Sequence, residues 1–208
     1  LASYKKRVIM RNSYIASLNT DAMNTTAEIR THLRIATTDE DTYLDSLALA
    51  AKYTIENYCN IIIGDTAIIQ YATSWCDTTE LYHSPVKNSG EATITKIRYY
   101  DSSNTLILES LTDYKFDEYS SPLRLGLTPG YSYPAIANRL KAIEISYSVG
   151  YDNATSAPES LKQAALILCG NWYENRQEII VGRSVGSIPM TARYLMNPYR
   201  VETLGLLC

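Results

Sequence analysis

The stretch TTDEDTYLDSLALAAKYTIENY, Thr37 to Tyr58, decides how the rest of the chain is read. Thr38 stands where a helix cap belongs, and Asp39, Glu40 and Asp41 suit the positive end of a helix dipole. Apolar residues then recur at Leu44, Leu47, Ala48, Ala51, Ile55 and Tyr58. That spacing predicts a helix over 39–58, roughly 30 Å long, with one buried face. Three consecutive carboxylates also have the composition of a metal site, but helix N-terminal charge accounts for them without one.

On either side the pattern changes. Residues 1–25 are polar, with no sustained period, and are read as an N-terminal arm. Thr26 can cap a short helix in TTAEIRTHLRI whose Ile29 and Leu33 share a face. From Gly64 onward come short runs rich in Ile, Thr, Tyr and Val: TAIIQYATSW, ATITKIRYY, TLILESL, YKFDEY, LRLGL and AIEISYSVGY. Turn-formers separate them, as in an antiparallel sheet, and ATITKIRYYDSSNTLILES is the clearest hairpin, turning at Asp101 to Asn104. Helix returns after Pro158, with Leu161, Ala165, Leu168 and Trp172 in one stripe. It ends in GNWYENRQE, Gly170 to Glu178, after which VGRSVGSIP breaks the period. A last short helix is expected in the C-terminal segment before Pro198. Helices at both ends enclosing a β module make an α+β chain. Its expected divisions are the arm 1–25, helical segments 26–64 and 151–192, the β module 65–150 and a C-terminal tail 193–208.

A chain of 208 residues, 46% hydrophobic and 20% charged, has the make-up of a globular protein. Eighteen Tyr against one Phe is unusual, and Tyr suits surfaces that are dry on one side and wet on the other. A net charge of −3 lacks the footprint of a protein that grips phosphates over its whole surface. The run Lys5, Lys6, Arg7 and Arg11 is the local exception, read as a basic arm or a solvated terminus. Cys59, Cys76, Cys169 and Cys208 show no C-x-x-C spacing, so neither a zinc site nor a disulfide framework is expected. The apolar stretch after Arg7 is too short for a signal core and no run reaches membrane-spanning length, which leads us to expect a soluble intracellular protein.

Catalytic patterns are weak. No G-x-S-x-G is present, and His32 and His83 both read as structural or solvated. Asp117 and Glu118 are adjacent on a strand and point to opposite faces, so they cannot work as acid and base. GRSVGS, Gly182 to Ser187, lacks the Lys of a phosphate loop. No enzyme, cofactor or metal is expected. Trp172 falls on the apolar stripe and reads as core. Glu174, Asn175 and Arg176 lie off it, and Arg176 is suited to a carboxylate of its own chain or of a neighbour.

Taken in order, TTAEIRTHLRI, DEDTYLDSLALAAKYTIENY, EISYSVGY, APESLKQAALILCGNWYENRQE and YLMNPYRV resemble the head-tail connector proteins of long-tailed bacteriophages. These are also called adaptor or head-completion proteins, with relatives in gene transfer agents. The resemblance spans residues 26–200. It implies a small helical bundle core with the β module inserted and an extended C-terminal tail. It further implies a homo-oligomeric, twelvefold ring in the virion neck, assembled in the host cytoplasm. The ring would bind the portal protein and a downstream neck or tail protein, and DNA would pass its lumen without sequence-specific binding. By the same resemblance Arg193, Tyr194, Tyr199 and Arg200 lie in the portal-facing tail, and Trp172, Tyr173 and Arg176 near subunit packing. Two other readings remain at this stage: a tail-associated recognition module using the β insertion, and a hydrolase.

Overall fold

The structure, a computed structural model, describes residues 19–81, 94–117, 123–176 and 188–201, and the backbone of 13–17. The chain forms two compact units. Residues 19–64 and 151–201 make a helical unit; 13–17 and 65–150 belong to a β unit. His83, Glu118 and the GRSVGS loop lie outside the described residues.

In the helical unit, α1 spans Thr26–Leu33, α2 Asp41–Cys59, α3 Glu159–Glu174 and α4 Met190–Met196. The cap of α1 is Thr25, not Thr26. Thr25 is extended, its hydroxyl accepts from the Glu28 amide at 3.3 Å, and the Glu28 carboxylate accepts from the Thr25 amide at 2.7 Å. This reciprocal pair satisfies two donors that a helix start otherwise leaves open. Thr26 instead donates to Asp45 Oδ1 at 2.5 Å, tying α1 to α2. Thr38 does not cap α2 with its side chain; only its carbonyl accepts, from Asp41 N at 3.2 Å. Leu44, Leu47, Ile55 and Cys59 of α2 share one core with Leu161, Leu168 and Cys169 of α3 and with Ala192 and Met196 of α4. Residues 193–201 therefore depart from the expected extended tail. They are helix and turn, held to the end of α2 by Val201 N donating to the Cys59 carbonyl at 2.8 Å.

A buried lysine holds the entry to this unit. Lys52 of α2 is fully buried, and its Nζ donates to Asn19 O (2.7 Å), Asn19 Oδ1 (3.1 Å) and Asp21 O (2.9 Å). The same Asn19 side chain lies against Gly64, whose φ of +85° is one that side chains disfavour. A Cβ at residue 64 would come within 2.7 Å of Asn19 Cγ. Gly64→Ala should therefore cost more than about 1 kcal/mol in a thermal melt, since strain and clash act together. A variant that melts with the wild type would show that Asn19 yields freely.

The β unit holds two antiparallel sheets among the described residues. The strands are β1 (Ser13–Ser17), β2 (Thr66–Ala72), β3 (Thr79–Glu80), β4 (Ile94–Tyr100), β5 (Leu106–Leu108), β6 (Tyr114–Asp117), β7 (Arg124–Leu127) and β8 (Ile143–Val149). Five pair in the order β1-β2-β8-β4-β5 and three in the order β3-β7-β6. Residues 13–17, read as part of a loose arm, instead form an edge strand on β2. Ile143, Ile145, Tyr147 and Val149 alternate to one face of β8, where the core lies. That face carries Ile68, Gln70 and Ile97 from neighbouring strands, and Gln70 Nε2 donates to the Glu80 carbonyl of β3 at 2.9 Å. Trp75 stacks on Tyr133 with centroids 4.9 Å apart, meets the rings of Tyr99 and Tyr114, and donates to the Pro134 carbonyl at 3.0 Å. The expected hairpin turn is built by Asp101, whose Oδ1 accepts from Ser103 N and Thr105 N at 2.9 and 2.8 Å.

Candidate functional site

The end of α3 meets the start of α2, and there GNWYENRQE acquires its partners. Arg176 donates to Glu40 Oε1 at 2.7 Å, and Tyr173 donates its hydroxyl to Glu40 Oε2. The guanidinium lies over two neighbouring rings, 4.7 Å from the Tyr43 centroid and 5.1 Å from that of Tyr173. Both carboxylate oxygens of Glu40 are thus engaged, and the cation is stacked as well as paired. Of the two partners open to Arg176, the structure shows one in its own chain. Beside this cluster Asp41 pairs with Arg30 at 3.3 Å. The acidic run before α2 thus does more than favour the helix dipole.

Hydrogen bonds from Tyr173 and then Arg176 lower the Glu40 carboxyl below its ordinary 4.5. The hydrogen bond to Glu40 raises both the Tyr173 phenol and the Arg176 guanidinium. A depressed carboxyl contributes stability that is fully present above its unfolded value and is lost as pH falls through the folded one. We therefore expect the melting temperature to fall on acidification below about pH 4.5, and Glu40→Gln to flatten that fall. Identical pH profiles for the two proteins would remove this cluster from the account.

The other residues read as site residues divide. Trp172 is half-buried on the helical core. Tyr199 packs on the same core, while Arg200 lies over the Tyr58 ring at 5.6 Å. Tyr58 in turn donates to Asn197 Oδ1 at 2.8 Å. Arg193 is half-buried. Tyr194 is 68% exposed, and Met190, one turn earlier, is 71% exposed. The two form an apolar pair at i and i+4 on the outer side of α4, whose inner side buries Ala192 and Met196. The sequence reading missed Met190, as well as Glu40 and Tyr43. The i, i+4 spacing of Met190 and Tyr194 was the available signal for the first.

Reactive chemistry is muted. Cys59 and Cys169 are buried free thiols, pushed up to about 11 and about 12 by burial, so neither supplies thiolate at neutral pH. Cys76 is disulfide-bonded, so the cysteines are not all thiols as their spacing suggested. Among the described residues no group of three His, Cys, Asp or Glu could hold a metal ion.

Residues 22–201 match the head completion protein family, HCP. Solved structures share the fold. The neck of an empty GTA particle computed with C6 symmetry gives a TM-score of 0.72 at 21% identity, over 92% of this chain and 96% of that one. The virion of a native gene transfer agent (GTA) particle gives 0.70 at 22%, over 92% and 96%. The neck of a native GTA particle computed with C12 symmetry gives 0.68 at 20%, over 92% and 97%. No curated protein matches the chain.

Proposed function

Because the chain belongs to the head completion protein family, we propose that it is a structural protein of the virion neck. Copies form a ring between the portal and the tail; the ring extends the DNA channel and completes the head for tail attachment. The extent of the family match carries this reading. It runs from residue 22 to residue 201, through the helical unit, the β unit and back. A match confined to one unit would have fitted a shared module in an unrelated protein.

Twelve copies is the stoichiometry we propose, in line with the symmetry applied to one of the similar necks. The role is mechanical and not catalytic. The Glu40, Tyr43, Tyr173 and Arg176 cluster is paired within its own subunit and serves to fix the ends of α2 and α3. Trp172 supports the same helix end from the core side. The outward face of α4, Met190 and Tyr194 with Arg193 at its flank, is the portal-facing surface, and Tyr199 and Arg200 hold the chain that follows it. A downstream neck or tail protein is the second partner. DNA passes the lumen without sequence-specific contacts, and a net charge of −3 limits the salt-dependent grip that would oppose its sliding.

Deletion of the gene should leave DNA-filled heads without tails, and the wild-type chain should restore them. Met190→Asp with Tyr194→Asp should fold normally, since both side chains are exposed, yet lower tail attachment about tenfold or more, as loss of an apolar anchor does. Removing residues 193–208 is a poorer test, because it would take away Met196, which is fully buried. Tailed, infectious particles in the deletion strain would overturn the function. Normal attachment with the double variant would overturn only the α4 assignment.

A further inference from the structure

We propose that the outer face of the five-stranded sheet, at its β4–β5 end, is where a second copy of the chain docks. This rests on the ring reading and names the surface by which neighbours meet. Strand alternation places Lys96, Arg98 and Tyr100 of β4 on this face, with Leu106 and Leu108 of β5 and Glu144 of β8. Arg139 lies 3.8 Å over the Tyr100 ring and donates to Asn104 Oδ1 at 2.9 Å; Lys141 lies 4.8 Å over the Tyr71 ring. Four cations thus face one carboxylate, and Arg98 pairs with that carboxylate, Glu144. The face carries +3 in a chain of net −3, so the remainder of the chain carries −6. The face is thus opposite in sign to the net charge of the rest of a second copy.

Apolar residues accompany the charge. Leu108 is 67% exposed and Leu106 41%. Among the described residues β5 pairs with β4 alone, and Leu106-Ile107-Leu108 carries none of the Lys or Pro that blunt a free edge. A phosphate backbone would satisfy the cations and leave these leucines in water. A protein surface takes both, and Arg stacked on Tyr is a make-up enriched at interface anchors. A closed ring needs each subunit to offer two different surfaces, one to each neighbour. Repulsion between the cations also disfavours pairing of two identical faces.

The test uses particles assembled from a mixture of isotopically light and heavy chains, treated with a carbodiimide that joins an amine to a carboxylate in contact. Lys141 or Lys96 should be joined to a carboxylate of the same polypeptide sequence in mixed light–heavy pairs. Leu108→Glu with Lys141→Glu should keep the wild-type melt and lower the copies per particle about tenfold or more. Three results would overturn the proposal: wild-type necks that hold the chain but give no mixed pairs at either lysine, links from these lysines only to a different protein, and a double variant incorporated like the wild type. Loss of double-stranded DNA binding as the variant's sole defect would likewise overturn it, in favour of a nucleic-acid contact. Absence of the chain from wild-type necks would instead defeat the ring reading, and this inference with it.

Discussion

Lys52→Ala should lower the stability of the helical unit by about 2–4 kcal/mol, because it strands the Asn19 and Asp21 carbonyls and empties the space the lysine stem fills. Burial pulls this ammonium below its ordinary 10.5, while the charges of Glu56 and Asp21 hold it up. Glu56, one turn later, is itself raised by burial and accepts from Ile63 N at 2.7 Å. The two residues therefore hold both chain ends of this half of the unit, 19–21 and 61–64, against α2. Lys52→Met retains most of the volume and none of the hydrogen bonds, so it should recover only the packing part of the loss. Denaturant titration of the three proteins separates the terms. A methionine variant as stable as the wild type would mean that the hydrogen bonds contribute nothing net.

Trp75→Ala should cost the β unit about 2–4 kcal/mol, since one indole links Tyr133, Tyr99 and Tyr114 and donates to Pro134. The chain has two tryptophans, and they lie in different units: Trp75 in the β unit and Trp172 in the helical unit. The fluorescence that remains in Trp75→Ala therefore reports the helical unit alone. Far-UV circular dichroism should show an early transition while Trp172 fluorescence unfolds later. Coincident transitions unchanged from the wild type would show that the aromatic cluster contributes little. Trp75→Phe keeps a ring over Tyr133 and should restore most of the loss.

What could be read beforehand was what repeats locally. The period of α2 appeared in the sequence because its buried residues lie three and four apart, and the Asp101 turn because Asp and Asn carry their own turn chemistry. Caps were displaced by one residue at α1, where two adjacent threonines compete and only the backbone conformation of Thr25 decides. The Glu40–Arg176 pair was beyond local reading, because its partners are separated by 136 residues. The strand at 13–17 was missed for a related reason: SYIAS is short and half polar, and it becomes a strand by pairing with β2. The division into two sheets depends on strand order, which no local pattern carries. The short helix expected before Pro198 is present as Met190–Met196, with Ala192 and Met196 buried at i and i+4, whereas the extended tail implied by the resemblance is not seen across 193–201. The resemblance contributed the family, while the residues contributed the absence of catalytic patterns and the α+β organisation.

Electron cryomicroscopy of purified particles, with and without the gene, tests the central claim most directly. The account predicts a ring of density between head and tail in which each subunit fits the helical and β units, present in the wild type and missing from tailless heads of the deletion strain. Density for the chain elsewhere in the particle, or an intact neck in its absence, would contradict it.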